Sequence, residues 1–209
     1  FWEHFPHPCP PAQQFVYGTV VELVPERGVF YFATCGEDEF GLSVLKEATL
    51  AGQLTGYEIP LTELGLTSLR GVFFQGPYFL AFGTRYGIVS VITAQAFSCA
   101  AEVVNLSGHV TGGTVELSWQ VRGQPDGIRL QRDGELLAEL PASEKSYRDE
   151  SPERGKIHVY VAAPLQGGKE GPHAALSVFV PPPEKPFVRG DANRSGDINV
   201  ADAIYLLTY

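Results

Sequence analysis

The chain of 209 residues carries a formal net charge of −9 at pH 7 and has an isoelectric point near 5.0. Nucleic acids and anionic membranes both attract clustered Lys and Arg, so this balance argues against either as a partner, and no stretch reaches the roughly 18 apolar residues that insert into a membrane. Apolar residues make up 44% of the chain, and 23 glycines and 16 prolines interrupt it. This composition predicts a globular, mainly β protein with short strands and tight turns.

Residues 1–13 are predicted to form a proline-rich arm or linker, because prolines block both helices and sheet ladders. The three cysteines, Cys9, Cys35 and Cys99, show no metal-ligand spacing, and an odd number leaves at least one thiol outside any internal disulfide. The chain has no methionine and stops inside an apolar run. We therefore expect it to be a piece of a longer polypeptide.

Residues 14–97 contain an internal repeat. The run 28–33 (Gly-Val-Phe-Tyr-Phe-Ala) reappears 48 residues later at 76–81 (Gly-Pro-Tyr-Phe-Leu-Ala). The run 41–45 (Gly-Leu-Ser-Val-Leu) reappears at 87–92 (Gly-Ile-Val-Ser-Val-Ile), where its last three residues are matched at an offset of 47 residues. Each copy joins two apolar runs through polar turn residues, which predicts a hairpin. The period is typical of propeller blades, and the unit resembles the blades of secreted bacterial propellers. The copies are predicted to be either the last blades of a propeller or an independent two-repeat β domain.

Residues 102–180 are predicted to form a separate β-sandwich. Val115, Leu117 and Trp119 alternate with polar residues, which indicates a strand with one buried face. The pair Asp133-Gly134 lies between two strand-like runs and supplies the positive φ angles of a tight hairpin turn.

The second half of this region repeats the pattern. A further one-sided strand is predicted from four apolar residues at alternate positions, and a glycine turn and a closing strand, Ala174–Val180, follow it. The four residues are Ile157, Val159, Val161 and Ala163. The region resembles a fibronectin type III module, in which Trp119 matches the early-strand tryptophan and residues 159–163 match the penultimate strand. Ile157 stands where that family has the tyrosine of its tyrosine corner.

Residues 181–188 are predicted to form a proline-rich linker, extended and stiff, before a motif at residues 189–209 that carries chemistry. Residues 191–202 read Asp-Ala-Asn-Arg-Ser-Gly-Asp-Ile-Asn-Val-Ala-Asp. This is the spacing with which a twelve-residue loop wraps calcium, with Gly196 at the sharp bend and Ile198 as an apolar anchor. The predicted calcium ligands are Asp191, Asn193, Ser195, the backbone carbonyl of Asp197, Asn199 and Asp202.

The loop and the apolar run after it resemble a dockerin repeat over residues 187–209, with Asp202 in place of the glutamate of intracellular sensors. The resemblance implies two loop-helix repeats that bind two calcium ions and attach the parent protein to a cohesin module on a scaffold or cell surface. One repeat is present here. Its predicted helix carries an apolar stripe that includes Ile204 and Leu207. Val200 and Ala201 hold the loop positions that help to select the cohesin, so the type of partner stays open.

Three functions follow from these patterns. The first is a non-catalytic fragment of a secreted, multimodular bacterial protein that is anchored outside the cell by its calcium-dependent dockerin. The second is an accessory region of a polysaccharide-degrading enzyme, a glycoside hydrolase or lyase, whose catalytic domain lies upstream, since the chain has no recognisable catalytic motif. The third is sugar binding by residues 14–97 as a propeller segment with aromatic rings as stacking platforms, although aromatic residues that alternate in strands more often form a core. The rings considered are Trp2, Tyr31, Phe32, Tyr78 and Phe79.

Overall fold

The computed structural model describes residues 21–35, 42–61, 64, 68–85, 88–183, 192–193, 195 and 197–207. The predicted mainly β class is confirmed, with antiparallel sheets throughout the described residues. The first seven strands are β1 (Val21–Val24), β2 (Val29–Cys35), β3 (Leu42–Thr49), β4 (Leu54–Pro60), β5 (Ser68–Gln75), β6 (Tyr78–Arg85) and β7 (Ile88–Gln95). A 3₁₀ turn, Pro25–Arg27, lies between β1 and β2.

Eight further strands and one α-helix complete the described elements. The strands are β8 (Glu102–Thr111), β9 (Thr114–Arg122), β10 (Gly127–Arg132), β11 (Glu135–Pro141), β12 (Ser146–Asp149), β13 (Lys156–Gln166), β14 (Lys169–Glu170) and β15 (Ala174–Val180). The helix, α1, covers Val200–Leu207. No helix among the described residues is long and apolar enough to cross a membrane.

The two copies of the sequence repeat form two neighbouring antiparallel sheets, β1–β2–β3–β4 and β5–β6–β7. Both predicted hairpins are present, since β2 pairs with β3 and β6 pairs with β7. The acidic turn residues 37–39 of the first hairpin lie outside the described residues, as do residues 1–13.

Corresponding faces of the two copies share one core. Tyr31 and Phe79 occupy equivalent positions 48 residues apart, and each is almost fully buried in the same cluster. The ring of Tyr31 stacks on that of Phe74 from the other sheet, with 4.1 Å between ring centroids. The repeat region is therefore built as two layers that turn the same face of each copy inward.

Residues 102–180, which we call the sandwich, form two more sheets around a second core. One sheet has the order β12–β9–β8, and the other has the order β11–β10–β13, with β14 and β15 also paired to β13. The predicted one-sided strand is β9, whose Val115, Leu117 and Trp119 are buried in this core. The predicted hairpin turn joins β10 to β11, with φ angles of 55° at Asp133 and 83° at Gly134.

The prediction that β13 buries a single face was wrong. Tyr160 and Ala162 point into the sandwich core, whereas Val161 on the opposite face belongs to the core of the repeat region. Ile157, predicted to be buried, is 47% exposed. The reason is tertiary: the sheet that contains β13 packs against the first sheet of the repeat region, so the middle of the strand is covered on both sides.

Gly28 lies where the repeat region contacts the sandwich. Its φ angle is 70°, and a Cβ atom at this position would lie 2.5 Å from the carbonyl oxygen of Ala175 on β15. Only glycine combines this left-handed conformation with such a close backbone contact. The repeat region and the sandwich are thus joined by tight packing at Gly28.

Candidate metal centre and a buried charged cluster

The predicted calcium loop is partly covered by the described residues. Asn193, Ser195, Asp197 and Asn199 are among them, whereas Asp191 and Gly196 lie outside. The backbone of Asp202 belongs to the first turn of α1, but its side chain is outside the described set.

Short-range hydrogen bonds shape the middle of this loop. The backbone N–H of Ser195 donates to Oδ1 of Asn193 at 2.9 Å, and the Ser195 hydroxyl donates to the backbone carbonyl of Asp197 at 3.2 Å. Asn and Ser side chains commonly close such turns on the backbone two residues away. These two hydrogen bonds therefore hold the oxygens predicted for the third, fifth and seventh loop positions close to one another in space.

Asn199 connects the loop to the helix. It lies immediately before α1, which begins at Val200. Its Oδ1 accepts a hydrogen bond of 2.8 Å from the backbone N–H of Ala201. This is the bonding of an N-cap residue, a position at which asparagine is among the most favoured residues. The cap places Asp202 in the first helical turn, at the end of the predicted loop.

The donor set fits a hard cation of calcium's kind. Its oxygens come from carboxylates, amides, a hydroxyl and a backbone carbonyl, which calcium prefers over nitrogen or sulfur. Among the described residues no group of three or more His, Cys, Asp or Glu side chains could hold a metal ion. The predicted calcium loop is a different kind of site, because the ligands between its first and last positions are amide, hydroxyl and backbone carbonyl oxygens.

Apolar side chains near the loop are open to solvent. Ile198, the predicted anchor, is 64% exposed, and Val200 at the start of α1 is 76% exposed. The anchoring role predicted for Ile198 thus requires an apolar surface beyond the described part of the chain.

A buried charged cluster, which we call the junction cluster, lies where the repeat region meets the sandwich. It consists of Arg27, Tyr31, Glu47 and His173, and all four side chains are nearly or fully buried. His173 Nε2 donates to Oε1 of Glu47 at 2.6 Å, and Arg27 Nη2 lies 3.2 Å from the other carboxylate oxygen. The Tyr31 hydroxyl bridges Arg27 and Glu47.

Further contacts complete the cluster. Arg27 Nε donates to the backbone carbonyl of His173 at 2.7 Å, and its guanidinium lies over the ring of Phe97 at 4.9 Å from the ring centroid. The Thr55 hydroxyl donates to Oε1 of Glu47 at 2.8 Å. Each charge is therefore paired and hydrogen-bonded, as a buried charge requires.

Neighbouring charges set the ionisation of the cluster. Burial alone would raise the pKa of Glu47, but His173, Arg27 and the Tyr31 hydroxyl outweigh burial and hold this pKa below its ordinary value. Burial and the Glu47 carboxylate raise the pKa of Tyr31 well above its ordinary value. Glu47 is therefore ionised and Tyr31 neutral at pH 7.

A histidine, a carboxylate and a tyrosine in contact could perform acid–base chemistry, but here they are sealed from solvent. Glu47 is 0% exposed and His173 is 3% exposed, so a dissolved substrate cannot reach them. The cluster therefore has a structural role, joining the two units. The one sequence signal for it was the position of Glu47 on β3, two residues after Leu45, where alternation predicts a buried apolar side chain.

A second polar group lies inside the sandwich. Oδ2 of Asp149 accepts hydrogen bonds from Nη1 of Arg132 at 2.6 Å and from the Tyr160 hydroxyl at 2.8 Å. Burial and the Asp149 carboxylate raise the pKa of Tyr160 above its ordinary value. β13 thus carries a buried tyrosine, Tyr160, three residues after Ile157.

The cysteines and the predicted stacking aromatics divide by burial. Cys99 is buried with a free thiol, while Cys9 and the side chain of Cys35 lie outside the described residues. Tyr31 and Phe79 are core residues, so they cannot serve as platforms for a sugar. Phe32 is half-buried, Tyr78 is 49% exposed, and Trp2 lies outside the described residues.

Comparisons with known proteins assign no family. No family model matches the chain, and no curated protein matches it. Among solved structures, it is similar to the pectate lyase Pel3 from Pectobacterium carotovorum, with a TM-score of 0.34 and 19% identity over 41% of this chain and 28% of that chain. It is also similar to the spore cortex lytic enzyme SleM from Clostridium perfringens, with a TM-score of 0.32 and 12% identity over 39% of this chain and 28% of that chain. The matched part thus spans less than a third of either protein, and similarity this low assigns neither fold nor activity.

Proposed function

We propose that the chain is a non-catalytic part of a secreted, multimodular bacterial protein, in which a calcium-dependent, dockerin-type segment attaches β modules to a cohesin-bearing scaffold or cell surface. The observation that carries the proposal is the loop at residues 191–202, whose six predicted ligands all have oxygen donors at the spacing that calcium requires. The partner is a cohesin-type module, and the location is outside the cell.

The local geometry of the loop supports this proposal. The turn from Asn193 to Asp197 and the cap of α1 by Asn199 give the order loop, then helix, that a dockerin repeat has. The exposed Ile198 and Val200 present an apolar surface of the kind that a second repeat would cover.

The arrangement of strands supports a fibronectin type III-like module at residues 102–180. Three strands in one sheet (β8, β9 and β12) face a larger sheet (β10, β11, β13 and β15), and Trp119 on β9 is buried between them. The proline-rich linker that follows suits a spacer between this module and the next segment.

For the repeat region, the shared core supports the alternative of an independent two-repeat domain. Propeller blades are related by rotation about a central axis, so the front face of one blade packs against the back face of the next. Here the like faces that carry Tyr31 and Phe79 pack together.

Calorimetric titration of calcium into the chelator-stripped chain tests the proposed function. We expect one site with micromolar or better affinity, because the loop offers calcium-type ligands at every position. The double variant Asp191→Ala, Asp202→Ala should abolish the binding heat by removing both terminal carboxylates. A matched control is Asp126→Ala, which removes a carboxylate from the sandwich and should leave the titration unchanged.

Two results would count against the proposal. Absence of binding heat at millimolar calcium would show that this single loop does not bind the ion. Equal affinity in the chain and in the double variant would place the bound calcium elsewhere.

A further inference from the structure

The sheet β5–β6–β7 has an outward face on which aromatic rings are exposed to solvent. Its inward face packs in the core through Phe74 and Phe79. On the outward face, Phe73 is 52% exposed, Tyr78 is 49% exposed and Phe82 is 40% exposed. The strand register arranges this face in three rows, Gln75–Tyr78–Gln95, Phe73–Leu80–Thr93 and Gly71–Phe82–Val91.

One of these rings has a structural role. Phe82 lies opposite Gly71, and its Cδ2 is 3.5 Å from the place where a Cβ on Gly71 would be. An aromatic ring that covers a cross-strand glycine stabilises strand pairing. Phe73 and Tyr78 are therefore the two rings available to a ligand.

The outward face carries no formal charge at any of its nine positions, although the chain as a whole has a net charge of −9. The first copy of the repeat differs, because Lys46 and Glu58 form an ion pair of 2.8 Å on neighbouring strands. These nine positions offer no counter-charge to an anionic or cationic partner. The ligand that complements it is neutral.

Amide groups flank the tyrosine ring. Gln75 and Gln95 lie directly opposite Tyr78 on the two neighbouring strands. Gln95 donates from Nε2 to the backbone carbonyl of Phe97 at 2.7 Å, which orients its amide and leaves its oxygen as an acceptor. An apolar ring beside amide groups complements a pyranose, which has an apolar C–H face and hydroxyl groups at its edge.

The spacing favours a polymer over a single sugar. Phe73 and Tyr78 are diagonal neighbours on adjacent strands, which places their Cα atoms about 7–8 Å apart. The face is the surface of a sheet, so a ligand lies across it and several sugar units contact it at once. Val91, which is 58% exposed, and the half-buried Leu80 extend the apolar surface beyond the two rings.

We propose that the outward face of β5–β7 binds a neutral polysaccharide chain, with Phe73 and Tyr78 as stacking platforms. This site is independent of the calcium loop and belongs to the repeat region. It gives the chain a second kind of attachment, to a glycan surface.

Sedimentation with insoluble polysaccharides tests the proposal. The neutral, β-linked polymers are amorphous cellulose and insoluble xylan, and polygalacturonate gel is the anionic comparison. The chain should bind at least one neutral polymer and bind the anionic gel at least about fivefold more weakly. Phe73→Ala and Tyr78→Ala should each weaken binding by at least about fivefold, as loss of one stacked ring does, and Phe73→Tyr should retain it. The matched control is Phe179→Ala, because Phe179 is 55% exposed on β15 of the sandwich.

The outcomes separate this site from its alternatives. Binding that survives chelation of calcium and is lost in Tyr78→Ala supports the proposal, whether or not the loop binds its ion. Failure to bind either neutral polymer overturns it, as does a Phe179→Ala variant that loses as much binding as Tyr78→Ala. A dimer in light scattering that becomes a monomer in Phe73→Ala also overturns it, since the face would then join two copies of the chain. Circular dichroism confirms that each variant is folded.

Discussion

Replacement of Glu47 by alanine tests whether the junction cluster holds the repeat region and the sandwich together. The change removes the only carboxylate of the cluster and leaves the guanidinium of Arg27 buried without its counter-charge. It also removes the acceptor for His173, Tyr31 and Thr55. Breaking a buried ion pair by removing one partner costs about 3–5 kcal/mol. Small domains are stable by only about 5–15 kcal/mol, so the loss is a large part of the total.

The matched control lies on the same sheet. Glu58 pairs with Lys46 at 2.8 Å, but the two side chains are 48% and 35% exposed. Exposed pairs contribute about 0–1 kcal/mol because water and salt screen them. Glu58→Ala should therefore lower the free energy of unfolding by at most about 1 kcal/mol.

Urea denaturation followed by far-ultraviolet circular dichroism measures both variants. In a Trp2→Phe background, where Trp119 is the remaining tryptophan, fluorescence reports separately on the sandwich core. Adding Arg27→Met to Glu47→Ala should recover part of the lost stability, because the uncompensated buried charge is then gone. If Glu47→Ala and Glu58→Ala have the same effect within about 0.5 kcal/mol, the cluster does not act as a desolvated ion pair and the reasoning fails.

Two further predictions concern the same junction. Because the pKa of Glu47 is held below its ordinary value of 4.5, its ionised form stabilises the fold above that pH, and this contribution is lost as the pH falls through the folded-state pKa. The chain should therefore lose stability more steeply than Glu47→Gln between about pH 5 and pH 3 in urea titrations, and parallel curves would refute this. Gly28→Ala should cost more than the roughly 1–2 kcal/mol of a left-handed alanine, because its Cβ would also meet the Ala175 carbonyl. Gly52→Ala, with a φ of 84° and open space around it, should cost only the conformational part, and equal melting temperatures for the two variants would contradict the close approach.

The local structure was predictable from sequence because its signals act over a few residues. The internal repeat, in which polar turn residues join two apolar runs, predicted the hairpins β2–β3 and β6–β7, and Asp133-Gly134 predicted the turn between β10 and β11. The calcium loop is a pattern of twelve consecutive residues, so its candidate ligands could be named directly from the sequence.

The tertiary structure decided which surfaces are covered. Alternation along β13 predicts one buried face, but the second face is covered by a sheet more than a hundred residues away in the chain. The junction cluster likewise joins Glu47 to His173 across 126 residues. Neither the second buried face of β13 nor the contact between Glu47 and His173 was predicted, because the residues next to them in the sequence do not indicate which distant segment packs there. A buried carboxylate between a guanidinium and an imidazole is stable only when packing brings all three together, and that packing depends on the whole chain.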